Sequence, residues 1–326
     1  MAVFRVERNT GYTVMSNHHL RNKELSLKAK GLLSQMLSLP EDWDYTLAGL
    51  SHINREKIDA IREAVKELEK AGYIVRSRER DEKGRYTLNL ADAEGKLASR
   101  EAKMVMMCSP HNPCGRAWSE KELADVAALC YKYGVPLACD EIHADFVYPP
   151  AEHHCMLDAP HAREFAVMLC AASKTYNVAG LQQSAIICEN EKMRERICQE
   201  INACGVKSGN VFALAATRAA YTGCDAWLDG LKSYLMDNRD LVMAYAKANF
   251  PKVVVTPLEA TYLIWMDCRA LELEQEELMR RIFEAHVKVN DGLFFGESGR
   301  GFIRLNIGCP RAQLEAALAH LKTVLG

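Results

Sequence analysis

Three short apolar runs recur through the middle of the chain, each closed by polar residues. They are KMVMMC at 103–108, VPLAC at 135–139 and FAVMLC at 165–170. Between the first two lies WSEKELADVAALCYKYG, apolar at helical spacing, with Ser119 as N-cap and Gly134 as C-terminal stop. Apolar runs of this length, bounded by turn signals and joined by a helix, read as buried parallel strands. The predicted fold class is therefore α/β. Open α/β sheets bind ligands beyond the carboxyl ends of their strands, and Asn112, Asp140 and Lys174 stand just past those ends. An amide, a carboxylate and an amine in one crevice suit a pyridine-based electron sink.

The pattern before residue 86 is different. Residues 26–39 predict a helix capped by Ser26 and stopped by Pro40, and 46–53 a short second helix. Residues 54–71 predict a third, with Ile58, Ile61, Val65 and Leu68 on one face and Gly72 ending it. YIVRSRERDEKGRYTLNL then alternates as a hairpin turning near Lys83-Gly84. Helix, short helix, longer helix and two-stranded wing is the order of a winged helix-turn-helix. Its third helix would offer Asn54, Arg55, Lys57 and Arg62 to a DNA groove, and its wing Arg76, Arg78 and Arg80 to phosphates. The alternative is a small interaction or dimerisation module with a solvated charged face.

Charge and cysteine usage sharpen this division. Residues 1–100 hold 18 Lys/Arg against 15 Asp/Glu, net +3, and the remainder is net −5. All twelve cysteines lie between Cys108 and Cys309. Such thiols, after a start (MAVFRVERNT) unlike a signal peptide, predict a reduced, cytoplasmic setting. No run of about 18 apolar residues predicts a membrane span. The predicted domains are 1–85, 86–230 and 231–326. His153-His154-Cys155 lacks zinc-like spacing to a second ligand pair, so no metal site is expected.

The first segment resembles the winged helix domains that open bacterial and phage replication-initiation and helix-turn-helix proteins. YTVMSNHHLRNKELSLKAKGLLSQMLSLPEDWDYTLAGL and AIREAVKELEKAGYIVRSRERDEKGR carry that likeness. From about Tyr86 onward the chain resembles fold-type I pyridoxal-phosphate enzymes, in the cystathionine β-lyase branch of class I/II aminotransferases. MVMMCSPHNPCGRAWSEKEL, CDEIHADF, ASKTYNVAGL, ATYLIWMD and GRGFIRLNIGCPR stand in the family's order and at fitting spacing.

The resemblance implies a partial large domain at 86–230, an α+β small domain at 231–326, and pyridoxal 5'-phosphate as cofactor. Lys174 would hold the cofactor covalently and move the substrate Cα proton. Asp140 would pair with the ring nitrogen, Asn112 would donate to the ring oxygen, and Ser173 would lie near the phosphate. His143 stands where many relatives have a tyrosine near the ring oxygen. Arg304 would fork the substrate carboxylate. The implied activity is a carbon–sulfur β-lyase on a small sulfur-containing amino acid, or an aminotransferase, in a homodimer. A DNA-binding protein with a non-catalytic aminotransferase-like half is the reading from another class.

Three features depart from the family. Gln182 stands where many members have a phosphate-gripping arginine, and Ala171 where a serine often helps. Family members also carry a long segment before the SPHNP motif, with a phosphate loop and an aromatic that stacks on the cofactor. A chain without that segment is expected to bind the cofactor weakly and turn over slowly.

Overall fold

The computed structural model describes residues 15, 17–39, 47–73, 80–205 and 209–326. The chain divides into two compact units, 1–78 and 79–326. Arg76 and Arg78 lie outside the described residues.

The first unit holds helices α1 (His18–Arg21), α2 (Leu27–Met36), α3 (Leu47–His52) and α4 (Ile58–Lys70). The Ser26 hydroxyl caps α2 by accepting the Ala29 N–H. Ile61, Val65 and Leu68 of α4 are buried against Leu32 and Leu33 of α2 and Leu50 of α3. α4 starts four residues later than the sequence pattern suggests. The Asn54 amide donates to the Leu50 carbonyl, ending α3, and to Gln35 Oε1. Asn54, Arg55 and Lys57 therefore lie in the turn ahead of α4 and not on it.

In the second unit, helix α5 (Leu90–Ala98) precedes strand β1 (Val105–Cys108), helix α6 (Glu120–Tyr133) and strand β2 (Leu137–Asp140). The α6 helix has a complete capping box, with Ser119 and Glu122 bonding each other's backbone, and ends on left-handed Gly134. A short helix, α7 (Ala162–Phe165), leads to β3 (Ala166–Cys170), α8 (Ala172–Thr175) and β4 (Ala185–Ile187). The sheet order is β1-β2-β3-β4, parallel except for β4. Leu123, Ala127 and Cys130 of α6 pack on Leu137 and Cys139 of β2.

Helices α9 (Glu191–Ala203), α10 (Ala213–Gly223) and α11 (Asp225–Asn249) follow. The α11 helix runs unbroken through the position expected to separate two domains at 230/231. Gly230 lies within it, in helical conformation. Beyond it come β5 (Val254–Val255), β6 (Leu263–Asp267), α12 (Gln275–Glu284), β7 (Asn290–Asp291), β8 (Phe302–Asn306) and α13 (Arg311–Leu325). This antiparallel sheet has the order β5-β6-β8-β7. Ile264, Met266, Ile303 and Leu305 bury one face of it against Leu314, Leu318 and Leu321 of α13 and against α11.

The hairpin expected near Lys83-Gly84 closes through an Arg80–Tyr86 bridge, with Gly84 at positive φ. It belongs to the second unit. Arg80 is not offered to phosphates: its guanidinium donates to the Tyr86 hydroxyl and reaches the Asp267 carboxylate. Arg85 binds Asp81 and Glu259, and buried Arg116 binds both Glu122 and Glu259. Glu259 thus compensates two guanidinium groups. We expect Glu259→Ala to destabilise the protein by about 1.5–3 kcal/mol, the worth of charge-assisted hydrogen bonds lost from two guanidinium groups that each keep a second carboxylate. Urea unfolding at pH 7 checks this, and a loss within the ordinary surface range of about 0.5 kcal/mol would contradict it.

Candidate functional site

The strand register sets the site. Cys108 pairs with Asp140, and Asp140 with Leu169, so the three parallel strands end level with one another. Backbone bonds carry the alignment onward, from Ser109 N–H to the Asp140 carbonyl and from Glu141 N–H to the Leu169 carbonyl.

Asn112 sits in the turn after β1, which the His111–Arg116 bridge closes. Gly115 shapes that turn at φ +69, where a Cβ would come within 2.4 Å of Leu258 Cδ1. Its carbonyl accepts the N–H groups of Glu259 and Ala260, pinning the turn to the segment before β6. Lys174 lies on α8, whose neighbouring Thr175 is fully buried and bonds Asp145 at 2.6 Å. The Lys174 side chain is exposed and hydrogen-bonds to nothing among the described residues. Ser173, half-buried, precedes it. Gln182 is exposed and left-handed.

Arg304 is central in its sheet, between β6 and β7. Its Nη1 donates to Asn112 Oδ1 at 2.6 Å, joining the antiparallel sheet to the turn after β1. Arginine only donates, so this bond turns the Asn112 oxygen inward and leaves Nδ2 as a donor. Nε and Nη2 both donate to Asn290 Oδ1, at 3.3 and 2.8 Å. Among the described residues no carboxylate pairs with Arg304, and burial draws its pKa below the ordinary value. A half-buried guanidinium held only by amides and a ring keeps its charge for an incoming anion.

His143 connects these groups. It is 5% exposed, meets Tyr262 edge-on at 5.7 Å, and its Nδ1 has no partner among the described residues. Burial pushes its pKa down to about 4; the charges of Lys174 and Arg304 push the same way, and Asp140 opposes them. Asp140, Lys174 and Arg304 therefore all act on one imidazole. Asp140 Oδ1 accepts the Ile142 N–H at 3.0 Å.

The depressed pKa has a stability consequence. Above about pH 6.5 the imidazole is neutral whether folded or unfolded, and His143 contributes no pH dependence. As pH falls towards 4, the unfolded chain takes up a proton that the folded site refuses. Stability should fall by up to about 3 kcal/mol through this one group. His143→Phe should flatten the slope of unfolding free energy between pH 7 and 4.5; an unchanged slope would contradict this.

Other sequence-predicted groups lie elsewhere. His153 Nε2 is 2.8 Å from Glu141 Oε2, while Glu141 Oε1 accepts the Met156 N–H, so this histidine belongs to a buried carboxylate pair. Arg55 and Lys57 are exposed, and Arg62 is paired with Asp59 on its own helix. Sequence reasoning missed Asn290 and Phe295, which touch Arg304. Their signal was the short stretch VNDGLFFG, fifteen residues or fewer before the arginine and able to pair back on its strand.

Two cavities compete as the ligand site. The larger, about 660 Å³, is lined by Arg85, Arg116 and Arg239, each already paired with a carboxylate. The other, about 390 Å³, is lined by Lys174, Phe146, Trp227, Tyr234, Tyr262 and Asn306. Lys174 brings its charge to the smaller one, while Arg304 lines neither.

Residues 66–321 match the family model described as aminotransferase class I and II. The chain is similar to cystathionine beta-lyase PatB of Bacillus subtilis (strain 168), at 35% identity over 244 residues, covering 74% of this chain and 63% of that protein. It is similar to protein MalY of Escherichia coli (strain K12), at 36% identity, covering 72% of this chain and 60% of that protein. Among solved structures, cystalysin from Treponema denticola, described as containing a pyridoxal 5'-phosphate cofactor, matches with a TM-score of 0.73 and 30% identity. That match covers 76% of this chain and 63% of the other. A PLP-bound C–S lyase from Staphylococcus hominis matches with a TM-score of 0.69 at 27% identity, covering 82% and 68% respectively. The chain thus spans about three fifths of the length of the curated relatives it matches.

Proposed function

Because the chain belongs to the aminotransferase class I and II family, we propose that it is a pyridoxal 5'-phosphate-dependent carbon–sulfur β-lyase acting on a small sulfur-containing amino acid. One observation carries the reading: Arg304, half-buried and without a carboxylate partner among the described residues, hydrogen-bonds Asn112, and its charge and that of Lys174 both bear on the buried His143 imidazole. The orphaned Nδ1 of buried His143 also fits a ring-bearing ligand, since a buried polar atom needs a partner.

The bound cofactor would supply an electron sink for the substrate's Cα electrons. Lys174 would hold it and then carry the Cα proton on Nζ. Asp140 would keep a ring nitrogen protonated. Asn112 Nδ2 and His143 would donate to the ring oxygen, with His143 acting as a neutral group. Ser173 would lie near the phosphate, and Arg304 would grip the substrate carboxylate. With cystathionine the reaction takes up one water and yields homocysteine, pyruvate and ammonia.

The names of the relatives favour the lyase over transamination. We expect purified protein with pyridoxal phosphate to release pyruvate and ammonia in equal amounts from cystathionine with no 2-oxo acid added. Turnover that depends on an added 2-oxo acid would make the protein an aminotransferase instead.

The reading includes a cytoplasmic homodimer, supported by exposed Val211, Phe212 and Leu214 at the start of α10. Sedimentation at a single-chain mass would contradict it. The first unit, residues 1–78, is read as a helix-turn-helix that meets DNA through Arg55, Lys57, Arg62, Arg76 and Arg78, the hairpin expected as its wing belonging to the second unit. The packed α2, α3 and α4 helices and the exposed Arg55 and Lys57 support this. Binding should weaken with salt and with Arg55→Ala; the absence of any shift of duplex DNA at low salt would contradict it.

A further inference from the structure

Arg304 is held on three sides, and the groups holding it are all neutral. Asn290 stands directly opposite it across the β7–β8 ladder, and its oxygen takes Nε–H and one Nη2–H. Asn112 takes one Nη1–H. Phe295 lies under the guanidinium plane, 4.7 Å from its carbon to the ring centroid. That ring is itself fixed, meeting Trp265 edge-on at 5.4 Å, while Trp265 stacks on Phe302 at 5.1 Å. Trp265 in turn is the cross-strand partner of Arg304 on β6.

A guanidinium has five N–H groups. With Nε–H, one Nη2–H and one Nη1–H engaged, one N–H remains on each terminal nitrogen. Two such donors on a fixed plane match the two oxygens of a carboxylate. Amide oxygens and a ring face orient the cation without cancelling its charge. An aspartate in place of Asn290 would neutralise it.

We propose that Asn290 and Phe295 are positioning residues that preset Arg304 to receive an amino-acid carboxylate in one orientation. The inference deepens the lyase reading and rests on it for the identity of the ligand. Neither residue needs to touch the substrate: Asn290 is exposed on the far edge of the fork, and Phe295 lies beneath it.

The clamp is tested first without cofactor or activity. Phenylglyoxal labels free guanidinium groups, and peptide mass spectrometry reads the rate at Arg304 in the full chain. Asn290→Leu, similar in size but with no acceptor, should label about tenfold faster, the worth of one charge-assisted hydrogen bond. Phe295→Leu should label faster as well, with unfolding midpoints unchanged. Unchanged labelling in both variants would overturn the clamp.

The second arm uses protein loaded with pyridoxal phosphate and follows its visible absorbance on titration with L-alanine and with ethylamine, which lacks the carboxylate. Asn290→Leu should weaken L-alanine about tenfold and leave ethylamine unchanged. Asn290→Asp should weaken L-alanine further, because its carboxylate neutralises the guanidinium from the Nε edge. Equal weakening of both ligands would show a merely structural role and sink the proposal. If the unmutated chain develops no visible band, the cofactor reading fails, and the labelling arm alone decides the clamp.

Discussion

Lys174→Ala is expected to abolish both the visible absorbance the protein gains with pyridoxal phosphate and the release of pyruvate. The fall in turnover should be at least about 10³-fold, since covalent attachment and proton transfer at Cα depend on one Nζ. The fold should be indifferent to the change. The Lys174 ammonium is exposed and bonds to nothing among the described residues, and α8 is anchored instead by Thr175 and Asp145. The unfolding free energy should therefore stay within about 0.5 kcal/mol of the unmutated protein. That combination separates a chemical role from a structural one. A variant that keeps the absorbance would place attachment on another amine and remove Lys174 from the reading.

What could be read from the sequence was what local chemistry decides. The α6 helix is bounded by its own cap and stop, so Ser119 and Gly134 announced it wherever the rest of the chain lies. The apolar runs ending at Cys108, Cys139 and Cys170 had room for only one arrangement once a helix joined the first two, and they form parallel strands. Boundaries were harder where a side chain rather than the backbone pattern ends an element. Asn54 looks like a helix start, but its amide turns back to the Leu50 carbonyl, and α4 begins at Ile58. The α11 helix shows the opposite case: a domain boundary was expected at 230/231, and one helix runs through it.

The fate of the charged residues could not be read in this way, because it is settled by partners far along the chain. Arg80 alternates with Arg76 and Arg78 as if all three faced solvent, yet its partner Asp267 is 187 residues away. Arg304 was singled out by its motif, and its role as a carboxylate fork is the proposal above. Its supports were not legible, since Asn290 reaches it only through the register of β7 on β8, and Asn112 only through the packing of Gly115 against Leu258. A motif marks the residue that does the chemistry, whereas the residues that aim it are fixed by pairing and packing.

The second large effect follows from that aim. Arg304→Ala should remove two charge-assisted hydrogen bonds to the substrate carboxylate, each worth about 1.5–3 kcal/mol. The resulting 3–6 kcal/mol corresponds to a fall in kcat/KM for cystathionine of about 10²–10⁴-fold. The loss should appear first as a raised KM, because the carboxylate is bound throughout the reaction. Arg304→Lys should recover little, since a single ammonium restores the charge but not the planar pair of donors. Stability should change little as well: burial without a counter-ion already works against the guanidinium, as its lowered pKa records. The substitution also frees Asn112 Oδ1, so its amide can rotate and Nδ2 is no longer aimed. A shift in the visible absorbance of the pyridoxal-loaded variant should accompany the loss of affinity. Steady-state kinetics of the three proteins, at saturating pyridoxal phosphate and with spectra recorded alongside, provide the check. An unchanged KM in Arg304→Ala would show that the carboxylate binds elsewhere.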